Sequence, residues 1–75
     1  MKEEDLRATV RALLRDRVLP ARRPDRTWGR PGRDVACSVC ALPIGHGEIE
    51  LEVHFGLDVY LVHTECFSAW QREVG

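Results

Sequence analysis

Four residues in the second half of the chain have the types and spacing of a metal-binding site. Two residues separate Cys37 from Cys40, two separate His63 from Cys66, and 22 residues lie between the two pairs. A two-residue spacing lets a tight turn aim both side chains at one ion, and three thiolates with one imidazole are the donor set of a closed tetrahedral zinc site. The pattern therefore predicts one structural Zn²⁺ bound by these four residues.

Other interpretations of the same residues stay open at this point. A C-x2-C pair can be a redox pair, although the thioredoxin type expects a βαβ pattern for which this chain is too short. Cysteines are also common core residues. Of the other two histidines, His54 falls among glutamates and His46 lies between two glycines. We expect both to be solvated surface residues rather than ligands.

Length and composition favour a small domain that needs a stabilising element such as a bound metal or a disulfide. The chain has 75 residues, 44% of them apolar, and a formal net charge of -1. A chain this short buries little apolar core. No stretch approaches the roughly 18 apolar residues of a membrane helix, and the N-terminal MKEEDLR lacks the apolar part of a secretory signal, so we expect a cytoplasmic protein with no membrane partner. In that reducing compartment an odd number of cysteines fits metal binding better than disulfides.

The first half of the chain divides into a helix and a linker. Apolar residues recur at helical spacing in EDLRATVRALLRDRVL, which predicts an amphipathic helix over residues 4–18 within an N-terminal segment, 1–19. Residues 20–36 are rich in arginine, proline and glycine and are expected to form an irregular linker. We expect Trp28 to anchor this linker on the neighbouring domain, because burying an aromatic ring offsets the entropy lost in ordering a loop.

Residues 37–75 form the predicted zinc-binding module. The segment EIELEVHF alternates apolar and polar residues, which predicts a half-buried strand with its glutamates and His54 facing water. VYLVH predicts a second strand, and the break at Gly56–Asp58 makes the pair a hairpin. TECFSAWQREV predicts a short helix with Thr64 at its N-cap. The sequence thus predicts a small zinc-bound α+β domain.

One sequence pattern resembles known zinc fingers. The motif C-x2-C-x3-I-x-x-G-E-I-x-L, followed by H-x2-C-F-x2-W, resembles the treble-clef fingers of the poly(ADP-ribose) polymerase type and the first half of a LIM domain, over residues 37–70. The resemblance implies a treble-clef-like knuckle, hairpin and helix, with structural zinc on the four ligand positions. Polymerase-type fingers bind DNA breaks through basic surfaces, and LIM domains bind proteins. The order of helix, R-x-W-G linker and finger also resembles short uncharacterised bacterial proteins, which implies no activity.

Charge is distributed unevenly along the chain. Residues 34–75, which we call the finger, contain seven acidic residues and one arginine, a net charge of -6. Residues 15–33, which we call the arm, contain seven arginines and two aspartates, a net charge of +5. Phosphate binding needs lysine or arginine on the docking face, so the finger itself is expected to repel DNA. Candidate contacts with nucleic acid or an acidic partner are the linker arginines, Arg22, Arg23, Arg26, Arg30 and Arg33.

Two functions follow from these observations. In the first, the chain is a non-enzymatic, zinc-stabilised protein-interaction or regulatory module that binds a protein partner or a second copy, and the arginine-rich arm folds back on the finger or contacts an acidic surface. In the alternative, the chain is a nucleic-acid-binding zinc finger protein whose arm pairs with phosphates while Trp28 stacks on bases. We expect no enzyme, because four protein ligands leave zinc no open position and no nucleophile is paired with an oriented base.

Overall fold

The computed structural model describes residues 2–75 as two helices, a three-stranded antiparallel sheet and a short two-stranded ribbon. In chain order the elements are α1 (Glu3–Arg15), β1 (Arg26–Pro31), β2 (Val35–Ala36), β3 (Pro43–Ile44), β4 (Ile49–Phe55), β5 (Asp58–His63) and α2 (Thr64–Val74). The prediction of a small α+β fold is confirmed. Neither helix has the length and apolar character needed to cross a membrane, within the described residues.

The N-terminal helix ends earlier than the predicted residue 18. It stops at Arg15, and the residues that follow bond back to carbonyls of the last turn while Arg17 adopts a left-handed conformation with φ 60°. The reversal buries Leu19 and lets the carbonyl of Pro20 accept a hydrogen bond of 3.0 Å from the indole of Trp70. Packing on α2 therefore sets the end of α1, several residues before proline would forbid a helix.

The core lies between the two helices and one face of the three-stranded sheet. Trp70 is fully buried at its centre, and its ring centroid lies 5.3 Å from that of Phe55 and 5.6 Å from that of Tyr60. The helix α1 contributes Leu6 and Val10 to the same core. Cys37 and Cys66 are also members, so the predicted metal ligands border the packed interior.

The prediction of an irregular linker over residues 20–36 is wrong for residues 26–31 and for the two residues of β2, Val35–Ala36. Residues 26–31 form β1, which pairs antiparallel with β4, and β4 in turn pairs with β5. The two segments alternate in the same way, so that Arg26, Trp28 and Arg30 of β1 lie on the same face of the sheet as the polar residues of β4, and Arg30 lies opposite the oppositely charged Glu50. The other facing pairs are Arg26 with His54 and Trp28 with Glu52.

A glycine marks the end of this strand. Gly32 is buried, its amide donates to the carbonyl of Glu48 at 2.9 Å, and a Cβ atom placed on it would lie only 2.0 Å from the carbonyl oxygen of Gly45. Any larger residue would push β1 off the turn that precedes β4. Gly32, one of the glycines that indicated an irregular linker, is therefore required by close packing against Gly45.

The polar face of β4 does not lie wholly in water, contrary to the prediction. Glu50 is 0% exposed, because Arg33 and Arg30 lie across it with guanidinium nitrogens 2.7 and 2.8 Å from its carboxylate. The hydrogen bond from Arg33 is the main reason that the pKa of Glu50 is lowered, against the opposing effect of burial; Arg30 adds to the lowering. Arg30 also pairs with Glu52. The arm is therefore held on the sheet by ion pairs.

Trp28 lies on the outer face of the sheet and is less buried than predicted. Half of the residue remains exposed. Its ring packs edge-on against His54, with centroids 4.7 Å apart, and the guanidinium of Arg26 lies 5.1 Å from the indole centroid. The residue packs on its strand neighbours and does not enter the core.

The predicted hairpin and second helix are both present. The strands β4 and β5 join through a tight turn in which Gly56 has φ 60°, a conformation that favours glycine. The helix α2 begins at Thr64 itself, so His63 occupies the cap position predicted for Thr64. The cause is that β5 runs directly into α2 with no connecting residue.

Candidate metal centre

The first pair of candidate ligands is held by a small ribbon. The strands β2 and β3 pair with each other, and the loop between them carries Cys37 and Cys40. The amide of Cys37 donates to the carbonyl of Leu42 at 2.9 Å, and Ala41 closes the loop with φ 66°. The amide of Ser38 donates to a carbonyl of β5 at 2.8 Å, which fixes the loop to the main sheet.

The second pair lies where β5 meets α2. His63 is the last residue of β5, and Cys66 lies in the first turn of α2 and is buried. Residues three apart at a helix start lie on the same side, so both side chains turn toward the loop that carries the other two. The positive end of the helix dipole lies beside Cys66, where it stabilises negative charge.

The four side chains converge on one point. The ligand atoms of Cys37, Cys40, His63 and Cys66 all lie within 4.8 Å of one another, and we call them the four-ligand cluster. The Nδ1 atom of His63 is 3.4 Å from the sulfur of Cys40 and 3.8 Å from that of Cys66. A tetrahedral ion with the bond lengths typical of zinc separates such nitrogen and sulfur ligands by about 3.6 Å. The cluster can therefore hold a metal ion.

Neighbouring backbone groups orient the cluster. The Nε2 atom of His63 lies 3.1 Å from the carbonyl oxygen of Pro43, which can only accept, so Nε2 carries the proton and Nδ1 is left to bind a metal. The amide of Val39 donates to the sulfur of Cys37 at 3.4 Å, an interaction that stabilises a thiolate. Histidine ligands ordinarily have such an outer partner, and its presence here fits the assignment of His63.

Proximity makes the thiols differ in acidity. The pKa of Cys37 is lowered to about 4, chiefly by a hydrogen bond with Cys66 and further by backbone amides. The pKa of Cys66 is raised, chiefly by the same interaction and next by burial. The two thiols thus compete for one proton, and a cation bound between them would hold both as thiolates.

The other two histidines lie outside the cluster. His46 is highly exposed, with its Nε2 atom 2.9 Å from a carboxylate oxygen of Asp34. His54 lies on the outer face of the sheet, with its Nε2 atom 2.8 Å from Glu52. His54 is only 17% exposed at its side chain, so it is less solvated than predicted, because Trp28 and Glu52 cover it. The structure brings together the four predicted ligands and neither of the alternatives.

The arm arginines do not converge on a common site. Arg22 lies over the ring of Phe55 at 5.1 Å and pairs with Asp25 at 3.6 Å. Arg26 lies over Trp28, whereas Arg30 and Arg33 contact Glu50. Arg23 is exposed and forms no ion pair within residues 2–75. Contact of these arginines with nucleic acid or an acidic partner stays a prediction.

Sequence reasoning missed the cluster formed by Glu50, Arg30 and Arg33, which we call the Glu50 cluster. A signal for it exists, because arginine and tryptophan alternate with small residues in RTWGR as the acids alternate with apolar residues in EIELEVHF. Two polar alternations of opposite charge can pair as neighbouring strands. The composition of the linker concealed that pattern.

The four-ligand cluster has a definite chemical capability, which is to bind a metal ion. It offers four protein ligands to one ion, which is enough to complete a tetrahedral shell. No protein-family model, curated protein or solved structure matches this chain.

Proposed function

We propose that this chain is a non-enzymatic protein-interaction module whose fold is stabilised by one structural zinc ion. The observation that carries the proposal is the four-ligand cluster, whose ligand atoms lie within 4.8 Å of one another. Thiolates with an imidazole suit zinc, whereas magnesium and calcium prefer oxygen ligands. In this role Cys37 and Cys40 hold the ion from the loop, and His63 and Cys66 hold it from the sheet and α2.

The same cluster supports a structural rather than a catalytic role. A catalytic zinc site keeps one position for water or substrate, whereas three cysteines and a histidine fill all four positions. The order of loop, hairpin and helix, with ligands on the loop and at the helix start, supports a treble-clef-like arrangement. A bound ion would join β2, β3, β5 and α2, which are otherwise short elements of a 75-residue chain.

The charge distribution favours a protein partner over nucleic acid. Arg30 and Arg33 neutralise Glu50 within the molecule, so part of the arm is not free to meet phosphates. Large apolar side chains remain exposed on several elements, and such surfaces commonly mark contact with proteins. They are Val18, Trp28, Leu42, Ile49, Leu57 and Val59.

A nucleic-acid binding assay separates the two functions. Fluorescence anisotropy with labelled single-stranded DNA, duplex DNA and RNA should give only weak binding at about 150 mM salt, poorer than about 1 μM, as for non-specific contacts. Lowering the salt should strengthen binding, with a slope set by the few phosphates neutralised.

A tight, saturable affinity at the same salt would contradict the proposal if Arg22→Ala with Arg23→Ala abolished it. The matched control is Arg11→Ala with Arg72→Ala, which removes two positive charges from the α1–α2 surface. Equal losses in both double variants would indicate general charge attraction rather than a site on the arm.

A further inference from the structure

A groove opens beside the four-ligand cluster. It encloses about 310 Å³, and its lining includes three of the four candidate ligands. A zinc ion would fill only the end formed by those ligands, since one ion occupies a small part of that volume. The remainder is lined by residues from α1, the loop before β3, the start of β4 and the start of α2, namely Leu6, Leu42, Glu48, Ile49, Thr64 and Glu65.

One wall of the groove is apolar and open to water. Leu42 is 55% exposed and Ile49 is 51% exposed, although they come from different elements and line the same groove. Leu6 of α1 closes the opposite side and is buried. Two half-exposed aliphatic side chains in one concave surface form a patch that a partner's apolar side chain would cover.

The rim of the groove is negatively charged. Glu48 and Glu65 both lie at its edge, and no lysine or arginine lines it. Glu48 lies 3.7 Å from the Nε2 atom of His63, and within residues 2–75 neither carboxylate forms an ion pair with a lysine or an arginine. Glu48 accepts a hydrogen bond from the amide of Gly45 at 2.8 Å, which holds it in place. A zinc ion with three thiolates and a neutral imidazole would itself carry a net charge of about -1, which adds to the negative field.

We propose that this groove binds a short basic and apolar segment of another protein. An aliphatic side chain of that segment would pack on Leu42 and Ile49, and a neighbouring lysine or arginine would face Glu48 and Glu65. Charge complementarity selects this occupant, because a nucleic acid or an acidic peptide would meet like charge on the rim. The inference rests on the proposed function as a protein-interaction module and names the surface and partner chemistry it would use.

Selection from a random peptide library displayed on phage tests this inference. The zinc-loaded full chain is the bait, and enriched peptides should combine leucine, isoleucine, valine or phenylalanine with adjacent lysine or arginine. Synthetic versions should then bind in solution, with an affinity that falls about tenfold in Glu48→Gln with Glu65→Gln, because both rim charges are lost. Leu42→Ser with Ile49→Ser should lower it by at least as much.

Matched variants keep the test specific. Glutamine at position 48 retains an oxygen that can accept from Gly45, so the turn should persist. Glu4→Gln with Asp58→Asn removes two exposed carboxylates that do not line the groove and should leave the affinity unchanged. The zinc content of each variant is measured first, so that loss of binding is not confused with loss of fold.

Each result either supports the proposed binding of a basic and apolar segment in the groove or contradicts it. Enriched peptides that are acidic, or that bind the rim variant as tightly as the wild type, overturn the groove and leave the interaction function standing. A zinc-loaded chain that enriches no peptide overturns both. Self-association in sedimentation experiments that is lost in the rim variant would assign the groove to a second copy and overturn the proposed occupant.

Discussion

This small domain contains two polar clusters, and their charges are neutralised in different ways. The four-ligand cluster gathers three thiols and an imidazole, and in our proposal its charge is balanced by a metal ion from outside the chain. The Glu50 cluster gathers one carboxylate that is 0% exposed and two arginines that the chain itself supplies. In that proposal the first cluster makes folding depend on a ligand, whereas the second uses only residues of the chain itself.

The difference explains how the arm and the finger become one domain. Metal binding would fix the loop of Cys37 and Cys40 to β5 and α2, but it does not reach β1. The ion pairs of Glu50 fix β1 to β4 instead, one strand away from His63, which lies opposite Glu50 in the pairing of β4 with β5. The domain thus has two attachments that use different residues.

The largest effect is expected from removing a ligand of the four-ligand cluster. His63→Ala should lower zinc affinity by more than the roughly 10–100-fold that loss of an outer partner of a metal ligand costs, because a ligand itself is removed. Since a structural zinc contributes folding free energy directly, the variant should also lose the near-ultraviolet circular dichroism of Trp70. Competition with a chromophoric chelator measures the affinity.

The other histidines supply the controls for that experiment. His46→Ala and His54→Ala should bind zinc as the wild type does, because both side chains lie outside the four-ligand cluster. A comparable loss in His54→Ala would mean that the fourth ligand has been assigned wrongly. It would also mean that the pairing of β4 with β5 differs from the one described.

A smaller effect is expected from breaking the Glu50 cluster. Arg30→Met with Arg33→Met leaves the Glu50 carboxylate without its partners, which should lower the free energy of unfolding. Urea unfolding of the zinc-loaded proteins measures this difference. Zinc binding itself should persist, because neither arginine contacts the four-ligand cluster.

A third substitution distinguishes two causes of that loss of stability, the unpaired charge of Glu50 and the lost packing of the arginine side chains. Adding Glu50→Met to that double variant should recover much of the stability, because a well-packed apolar group can replace a buried ion pair at little cost. If the triple variant stays as unstable as the double variant, the arginines contribute by packing and the charge argument is wrong.

The pH dependence of the Glu50 cluster should be smaller still. The folded pKa of Glu50 is lowered below 4.5, chiefly by Arg33, so its ionisation stabilises the fold above the unfolded pKa, and that contribution is lost as the pH falls through the folded value. The difference in unfolding free energy between wild type and Glu50→Gln should therefore be constant from about pH 7 to 5 and shrink below about pH 4. A difference that grows on acidification would contradict this account.

The two clusters also differ in how far the sequence predicts them. The ligand pairs are local, and spacing alone identified Cys37, Cys40, His63 and Cys66 as the residues that the fold brings together. The hairpin followed in the same way from alternation and a glycine turn. The Glu50 cluster depends on pairing between residues 20 apart, and the proline and glycine of RTWGRP indicated a loop rather than a strand. The ligands could be predicted from their spacing in the sequence, whereas the pairing of β1 with a distant strand could not.

The end of α1 shows the same limit. Helical periodicity continues to residue 18, and nothing local marks Arg15 as the last helical residue. The helix ends there because the chain turns back to bury Leu19 in the core and to place the carbonyl of Pro20 in a hydrogen bond with the indole of Trp70. A sequence pattern predicts that a helix exists more reliably than it predicts where packing ends it.

Metal analysis of the purified chain tests the central claim most directly. Native mass spectrometry, with elemental analysis of the same sample, should find one zinc ion per chain. Removing it with a strong chelator should abolish the near-ultraviolet signal, and restoring zinc should return it. A chain that carries no zinc, or one that keeps its tertiary signal after chelation, would contradict the account.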